Sequence, residues 1–309
     1  MRILIIVLAG VLLAAPASPP AEAFEGAYSW LTTDAAPPPV KPHWSGLPVF
    51  GAEAAARGYN LPLPFGVGGT FYREQQPFDI TNLKVSFRGS DLVSVKGFVE
   101  LDRVDATQNV GAVRMDVWLF PFLNVYGLLG YMSGKIEGTV GLPAVPIRPP
   151  ILVIPAQTLP LSIAYEGPVF GGGITLAGGV EVTKWRQLTA FLVLDANYTY
   201  TALDFVDERL EATAGAKAFI FSPRLGLRGQ IYKSVFAAAW VGAMYQRVSE
   251  TLEGRAPDRQ IEFVVEQKPV APWNALVGGR VELGPHVDLM VEVGIGTRQS
   301  VLGGLTFRF

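Results

Sequence analysis

The final stretch of the chain, "VLGGLTFRF", keeps an alternating apolar pattern up to the last residue. Side chains of a β-strand point alternately to the two faces of a sheet, so a period of two predicts a strand with one apolar face. Soluble domains usually end in a loosely held polar tail, so an apolar face that includes the terminus predicts packing against a protein core or lipid. The apolar positions are Val301, Gly303, Leu305, Phe307 and Phe309.

The same period of two dominates the chain from Pro64 onward. Its clearest example is "LTAFLVLDANYTYTA", where Leu194 and Tyr198 share one face and Asp195 and Asn197 share the other. Comparable alternation occurs in residues 83–88, 93–102, 113–119, 224–231, 277–283 and 287–293. The sequence therefore predicts an all-β fold built from strands with one apolar and one polar face.

The composition is apolar, yet it does not indicate transmembrane helices. Of the 309 residues, 50% are hydrophobic and 17% are charged, whereas charged residues usually make up about a quarter of a soluble protein. A transmembrane helix needs about 20 consecutive apolar residues, and no such run follows the N-terminal segment. Dispersed apolar residues of alternating strands account for this composition.

The N-terminus has the pattern of a secretory signal. A basic start at Arg2 precedes the apolar residues 3–15, and "AEA" at 21–23 has the small-x-small form of a cleavage site. We expect residues 1–23 to be a signal peptide that is cleaved after Ala23. Residues 24–63 are rich in proline and predict a periplasmic linker or a plug, with one or two helical turns in "AEAAARGY".

The connections between predicted strands fall into two alternating kinds, and this predicts about 12 strands. One kind is always short, at 90–91, 121–122, 184–187, 232–233 and 284–286. The other kind includes long connections at 139–167, 204–213 and 251–269, and shorter ones at 73–78, 105–108 and 297–300. Short turns on one side and longer loops on the other are typical of a transmembrane antiparallel β-barrel.

A soluble β-sandwich also alternates, but three features favour a barrel in lipid. Almost every predicted strand has an apolar face, and the opposite face carries charges of both signs. Only a closed barrel lets strands cross a membrane with every backbone group paired. Aromatic residues near the predicted turns suggest an interfacial girdle: Trp118, Phe120, Phe122, Tyr126, Trp185, Tyr232, Trp240, Trp273 and Phe309.

On these residues the chain resembles the bacterial outer-membrane β-barrel proteins, in a porin-like or channel-like form. The resemblance covers the signal peptide and a barrel domain at residues 64–309. It implies an outer-membrane location in a Gram-negative-type envelope. It also implies outer-membrane lipid, the barrel-assembly machinery and periplasmic chaperones as partners. Leu305, Phe307 and Phe309 are similar to the assembly signal at the end of such barrels.

The predicted polar face suggests a function in passive transport. A charge-lined lumen predicts a channel or transporter for small solutes; an ion-paired filling of the lumen is the alternative, and so is a non-conducting barrel that binds a partner or an apolar ligand through its loops. The residues predicted to line the lumen are Lys84, Arg88, Lys96, Glu100, Asp102, Arg114, Asp116, Asp195, Asn197, Arg224, Arg228, Arg280, Glu282, Asp288, Glu292 and Arg308.

Several other functions are not expected. The only histidines, His43 and His286, lie in a proline-rich segment and a short predicted turn, so no catalytic residues and no enzyme are predicted. The absence of cysteine and the spacing of the acidic loop 204–208 predict no metal site and no cofactor. A net charge of −2 without a basic block makes nucleic acid an unexpected partner.

The segment "VPIRPPILVIPAQTLPLS" at 145–162 is unusual because it is long, apolar and rich in proline. Such a loop at a barrel mouth is able to form a constriction, bind an apolar ligand, or contact lipid or neighbouring proteins. A proline-stiffened cap that packs on the surrounding loops is the simpler alternative.

Overall fold

The chain forms a closed antiparallel β-barrel. The computed structural model describes residues 46–57, 59, 61–87, 93–94, 100–101, 104–142, 145–147, 152–154, 157–205, 211–256 and 261–309. Within these ranges, no helix has both the length and the apolar character required to cross a membrane. The predicted signal peptide, its cleavage site and most of the proline-rich segment lie outside the described residues.

One short helix, α1 (Gly51–Ala56), precedes the strands and matches the helical turns predicted near residues 52–59. The strands are β1 (Phe65–Phe87), β2 (Val93–Ser94), β3 (Glu100–Leu101), β4 (Val104–Phe120), β5 (Leu123–Leu142), β6 (Val145–Ile147), β7 (Leu152–Ile154), β8 (Gln157–Thr183), β9 (Leu188–Phe205), β10 (Glu211–Tyr232), β11 (Val235–Ala256), β12 (Ile261–Pro269), β13 (Trp273–Leu283), β14 (Val287–Ile295) and β15 (Gln299–Arg308).

Ten of these strands form the closed ring. Their order is β1, β4, β5, β8, β9, β10, β11, β13, β14, β15 and back to β1, with antiparallel pairing at each step. The ring closes where β1 pairs with β15, from Gly66 opposite Arg308 to Gln75 opposite Gln299. Each strand thus has a partner on both sides along the ring, which satisfies its backbone groups without a free sheet edge.

The predicted count of about 12 strands is not met, because two predicted connections are strand. β1 runs without interruption through residues 73–78, and β4 runs through residues 105–108. The polar stretch "REQQ" in β1 suggested a loop, yet Glu74 and Gln76 are buried there. Buried polar partners, described below, compensate for these side chains and allow the strand to continue.

β12 lies outside the ten-strand ring, within residues that the sequence assigned to a long connection. It pairs with Phe78–Phe87 of β1 and with Thr251–Ala256 of β11. β13, β14 and β15 have only 11, 9 and 10 residues, whereas β1 and β11 have 23 and 22. β12 therefore occupies the part of the wall that the three short strands do not reach.

The tight turns of the barrel share one end, which we name the turn end; the opposite end is the loop end. Turns at 121–122, 184–187 and 284–286 lie there, as the sequence predicted, together with both ends of the barrel domain. The turn predicted at 232–233 also lies there, one residue later, at 233–234. The predicted turn at 90–91 lies outside the described residues. α1 joins the same end, since the amide of Val49 donates to the carbonyl of Leu119 at 2.8 Å.

The terminal phenylalanine extends the seam, the pairing of β1 with β15 that closes the ring, to the turn end. Phe309 and Phe65 exchange two backbone hydrogen bonds of 3.0 and 3.1 Å, and their rings stack with centroids 5.9 Å apart. The apolar alternation therefore extends to the last residue because that residue still pairs with β1.

The long connection at 139–167 is mostly strand in its described part. β5 continues to Leu142, β8 begins at Gln157, and β6 pairs with β7 between them. The strands of this extension stand beyond the short strands of the ring, at the loop end.

Candidate functional site

The outer face of the barrel is apolar all the way round. Soluble monomers rarely expose continuous apolar patches of more than a few hundred Å², and here each of the ten ring strands exposes at least one large apolar side chain. One example from each strand is Val67, Val113, Leu129, Ile174, Leu192, Leu225, Val241, Val277, Val291 and Val301.

Ion pairs occupy the inner face near the turn end. Arg308 donates to Asp116 at 3.1 Å and to Asp288 at 3.0 Å, and Asn124 donates to Asp116 at 2.6 Å. Asp116 and Arg308 flank Gly66 in the sheet register, and a Cβ at Gly66 would lie 2.4 Å from the Asp116 carboxylate. The glycine therefore lets the two charges meet across β1.

A second inner group is centred on Glu292, which is 2% exposed. Arg224 donates to its two carboxylate oxygens at 2.6 and 2.9 Å, and the indole of Trp240 donates at 2.6 Å. Gly278 lies between Trp240 and Glu292 in the register, and a Cβ there would lie 2.5 Å from the indole. Two parallel hydrogen bonds to a carboxylate make this a strong, directional ion pair.

Further inner contacts follow the same pattern. Asp195 accepts hydrogen bonds from Tyr126 at 2.9 Å and Thr175 at 2.6 Å. The Arg228 Nε atom lies 3.0 Å from both carboxylate oxygens of Glu282. Most of the described inner charges thus have a charged or polar partner, as an ion-paired filling of the lumen would require.

The structure brings together most of the described residues that were predicted to line the lumen. Arg114 lies 3.2 Å from Asn124 and stacks on the Tyr126 ring, and Asn197 donates to Asp195 at 3.4 Å. Lys84 and Arg280 are half-buried. Arg88, Lys96 and Asp102 lie outside the described residues, and only the backbone of Glu100 is described. A role for these residues in lining a solute path stays a prediction.

The predicted aromatic girdle is wrong at two positions. Tyr126 and Trp240 are 5% and 7% exposed, and both point inward to the carboxylates of Asp195 and Glu292. Exposed members of the predicted set remain at both ends of the wall, among them Trp185 and Trp273.

The interior toward the loop end is apolar. One buried cluster contains side chains from five consecutive strands of the ring, which are β1, β4, β5, β8 and β9. Apolar side chains therefore line the inner wall continuously across these five strands. Its members are Phe78, Val104, Ala106, Ile136, Tyr165 and Leu203.

The barrel wall changes its pairing at the height where this apolar interior begins. β1 pairs with β15 up to Gln75 and with β12 from Phe78 onward. β11 likewise pairs with β13 up to Tyr245 and with β12 from Thr251 onward. Two single hydrogen bonds span this junction, from Gln246 to the Pro272 carbonyl at 2.8 Å and from Val270 to the Pro77 carbonyl at 3.1 Å.

A buried polar group, which we name the Arg298 cluster, backs the junction from inside. It consists of Tyr72, Glu74, Gln76, Gln108, Gln246 and Arg298. Arg298 and Glu74 are both 0% exposed, and their Nε and Oε2 atoms lie 3.8 Å apart. Arg298 also donates to Gln246 and, at 3.2 Å, to the Met244 carbonyl. Arg298 lies in the turn between β14 and β15, and its hydrogen bonds fix this turn to β11 on the far side of the junction.

Glu74 is the acceptor of the Arg298 cluster. Gln76 and Gln108 donate to one of its carboxylate oxygens at 2.6 and 3.0 Å, and Tyr72 donates to the other. Sequence reasoning missed both Glu74 and Arg298, because each lies in a stretch assigned to a connection. The alternation of Tyr72, Glu74 and Gln76 on one face was the available signal for a strand.

A pocket of about 370 Å³ opens on the outer face beside this junction. Its apolar wall comes from Val293, Ile295 and Val301, and its polar edge comes from Arg73 and Gln75. Gly294 and Ser300 contribute to its inner wall, next to Asn274, whose buried amide has no hydrogen-bond partner among the described residues. The pocket thus lies between the apolar outer face and the Arg298 cluster.

No metal centre and no catalytic triad is apparent in the described part of the chain. No group of three His, Cys, Asp or Glu side chains is placed there to hold a metal ion. The His286 ring stacks on Phe307, and its Nδ1 lies 2.8 Å from the Arg308 carbonyl oxygen, in a turn. His43 and residues 206–208 of the acidic loop lie outside the described residues.

Comparisons with known proteins agree with the fold. No protein-family model and no curated protein sequence matches the chain. The outer-membrane protein OprG from Pseudomonas aeruginosa gives a TM-score of 0.40 at 11% identity, over 81% of this chain and 98% of OprG. The transport unit of the autotransporter AIDA-I from Escherichia coli gives a TM-score of 0.39 at 6% identity, over 80% of this chain and 90% of that chain. The outer membrane protease OmpT from Escherichia coli gives a TM-score of 0.31 at 10% identity, over 80% of this chain and 97% of that chain.

The chain is therefore similar to bacterial outer-membrane β-barrels. These structures include a protease beside a transport unit.

Proposed function

We propose that the protein is an outer-membrane β-barrel that lets small apolar solutes pass between its interior and the surrounding membrane. Membrane insertion is supported by the closed ring of strands and by the apolar side chains exposed on all ten of them. A closed barrel leaves no unpaired strand edge in lipid, and an apolar band on its outside matches the hydrocarbon core. An enzymatic role is not part of the proposal.

The pocket beside the junction is the single observation that carries the proposed passage. It opens on the outer face among Val293, Ile295 and Val301. On the inner side, the apolar cluster begins at Phe78, three residues beyond the pocket residue Gln75. Apolar surface thus lies on both sides of a junction at which two single backbone hydrogen bonds span the change of strand pairing, with the Arg298 cluster behind them. Apolar surfaces of this kind favour an apolar solute over an ion.

A second candidate is a barrel that conducts nothing and binds a partner through its loops. The observation that favours it is the mutual pairing of the inner charges, such as Arg224 with Glu292 and Arg228 with Glu282. Paired charges that fill a lumen leave less room for water than free charges that line it. The predicted charge-lined water path would instead require these pairs to separate.

Filling the pocket tests the passage directly. Val293→Trp places a large side chain in the pocket, and we expect it to slow entry of an apolar naphthylamine dye into cells that carry the barrel in their outer membrane. Leu289→Trp is the matched control, because Leu289 lies on the same strand and the same exposed face but outside the pocket. Dye fluorescence after addition to cells, at equal barrel levels, gives the rate.

The unmodified barrel should admit the dye faster than cells without it, and Leu289→Trp should keep that rate. Entry no faster than in cells without the barrel would support the non-conducting candidate. Equal slowing by both substitutions would place the path elsewhere. Defined conductance steps for small ions in planar bilayers would instead favour the charge-lined lumen.

Phe309 is proposed to act in assembly as well as in closing the seam. Phe309→Ala should lower the amount of folded barrel in the outer membrane more than it lowers the stability of barrel refolded in detergent. Phe122→Ala is the control, since Phe122 is an exposed aromatic at the same end but lies far from the C-terminus. Heat-modifiable gel mobility measures the folded fraction in both settings. Unchanged membrane yield for Phe309→Ala would contradict recognition of this residue by the assembly machinery.

A further inference from the structure

We infer that two neighbouring turns at the turn end form a docking site for an anionic phospholipid of the leaflet at that end. The inference rests on the proposed membrane location and concerns a surface remote from the pocket. The turns are the 3₁₀ turn Trp185–Gln187 between β8 and β9, and residues 233–234 between β10 and β11.

Two cations are held over two exposed aromatic rings in these turns. The Arg186 guanidinium carbon lies 5.0 Å from the centroid of Trp185, and the Lys233 Nζ lies 5.5 Å from the centroid of Tyr232. Trp185 and Tyr232 are 68% and 61% exposed. A cation within about 6 Å of a ring face is attracted to it, so both cations are positioned at the barrel surface.

The backbone of both turns adopts a conformation that costs free energy for residues other than glycine. Arg186 and Lys233 adopt φ values of 54° and 37°, in the left-handed region that glycine normally occupies. Gln187 does so as well, at 48°. Non-glycine residues in this region cost free energy, and they often mark positions that serve a function.

The two turns are joined to one another. Arg186 Nη1 donates to the carbonyl of Ile231, at the end of β10, at 3.5 Å. Lys184 is exposed in the first turn and adds a third positive charge. Glu181, the nearest carboxylate in the same strand, alternates with the outward Val180 and Val182 and therefore faces the other side of β8. Among the described residues, Lys184, Arg186 and Lys233 therefore place three positive charges on the outer side of the two turns.

An apolar furrow leads from these cations along the outer wall. Ala190 on β9 is paired with Val180 on β8 and with Leu227 on β10. Val180 and Leu227 are 67% and 51% exposed, and the small Ala190 side chain lies between them. A phospholipid combines the two chemistries required here, a phosphate for the cations and an acyl chain for the furrow. Free phosphate would use only the first.

Lipid titration of the full chain, purified from membranes in non-ionic detergent, tests the site. Native mass spectrometry with palmitoyl-oleoyl phosphatidylglycerol should show bound lipid at lower concentration than with the matching phosphatidylcholine. The double variant Arg186→Gln/Lys233→Gln should weaken phosphatidylglycerol binding by about fivefold for each cation removed. The double variant Lys135→Gln/Lys217→Gln is the matched control, because both lysines are exposed toward the loop end.

Several outcomes would overturn the inference. These are unchanged affinity in the turn variant, an equal loss in the control, equal binding of both lipids, or displacement of the lipid by inorganic phosphate at similar concentration. If the double variant does not fold, the single variants Arg186→Gln and Lys233→Gln apply the same criterion. A barrel that enters neither phosphatidylglycerol nor phosphatidylcholine vesicles would contradict the membrane location, whereas an inserted barrel that binds both lipids equally would contradict this site alone.

Discussion

Arg298→Met is expected to lower the free energy of unfolding by about 3–5 kcal/mol, because it leaves the Glu74 carboxylate buried without a cation. Both side chains are 0% exposed, and the remaining contacts of Glu74 come from the neutral donors Tyr72, Gln76 and Gln108. Loss of Arg298 also removes its hydrogen bonds to Gln246 and Met244, which fix the turn between β14 and β15 to β11. Urea unfolding in vesicles, followed by gel mobility, measures the change.

Two further variants show whether the buried charge is the cause. Adding Glu74→Gln to Arg298→Met removes the second charge and should restore part of the lost stability, since a neutral amide is cheaper to bury than an unpaired carboxylate. Lys135→Met breaks an exposed pair, in which Lys135 lies 2.5 Å from Glu137, and should cost less than about 1 kcal/mol. Equal costs for Arg298→Met and Lys135→Met would show that the Arg298 cluster does not stabilise the junction.

The sequence predicted the barrel because period-two alternation reports directly on the two faces of a strand. It predicted the wrong number of strands because it treated polar runs as loops. Residues 73–78 contain Glu74 and Gln76, whose burial depends on partners from β4, β11 and the turn before β15. Such partners are distant in sequence. The local sequence of a polar loop therefore looks the same as that of a strand whose polar side chains are buried together.

The inner face was predicted best where charges alternate with apolar residues. Arg224, Arg228, Glu282 and Glu292 all alternate in this way, and the structure pairs them. Trp240 lies in "FAAAWVGAM", which has no charge to distinguish the two faces, and it was therefore assigned to the girdle although it points to Glu292. The glycines at 66 and 278 gave no signal either, because their role is to leave space for contacts between non-adjacent strands.

The two faces of β9 give the most direct test of lipid contact. Leu194 lies on the same face as Leu192 and Tyr198, which are 48% and 51% exposed, and it is paired with the exposed Leu176 of β8. Leu194 lies near the middle of the part of β9 that would cross the bilayer. Leu194→Arg should therefore lower the free energy of unfolding in vesicles by about 2–4 kcal/mol, the cost of an arginine at the bilayer midplane.

Asn197→Arg introduces the same side chain on the opposite face of β9 and serves as the matched control. Asn197 is half-buried, and its amide lies 3.4 Å from the Asp195 carboxylate, so the new guanidinium has an acid beside it. We expect a much smaller loss of stability than for Leu194→Arg, because a charge on the inner face avoids the hydrocarbon core. A neutral Leu194→Arg would mean that the apolar outer face does not contact lipid. Equal losses for the two variants would mean that the inner face is as intolerant of an added charge as lipid, as a tightly packed interior without water requires.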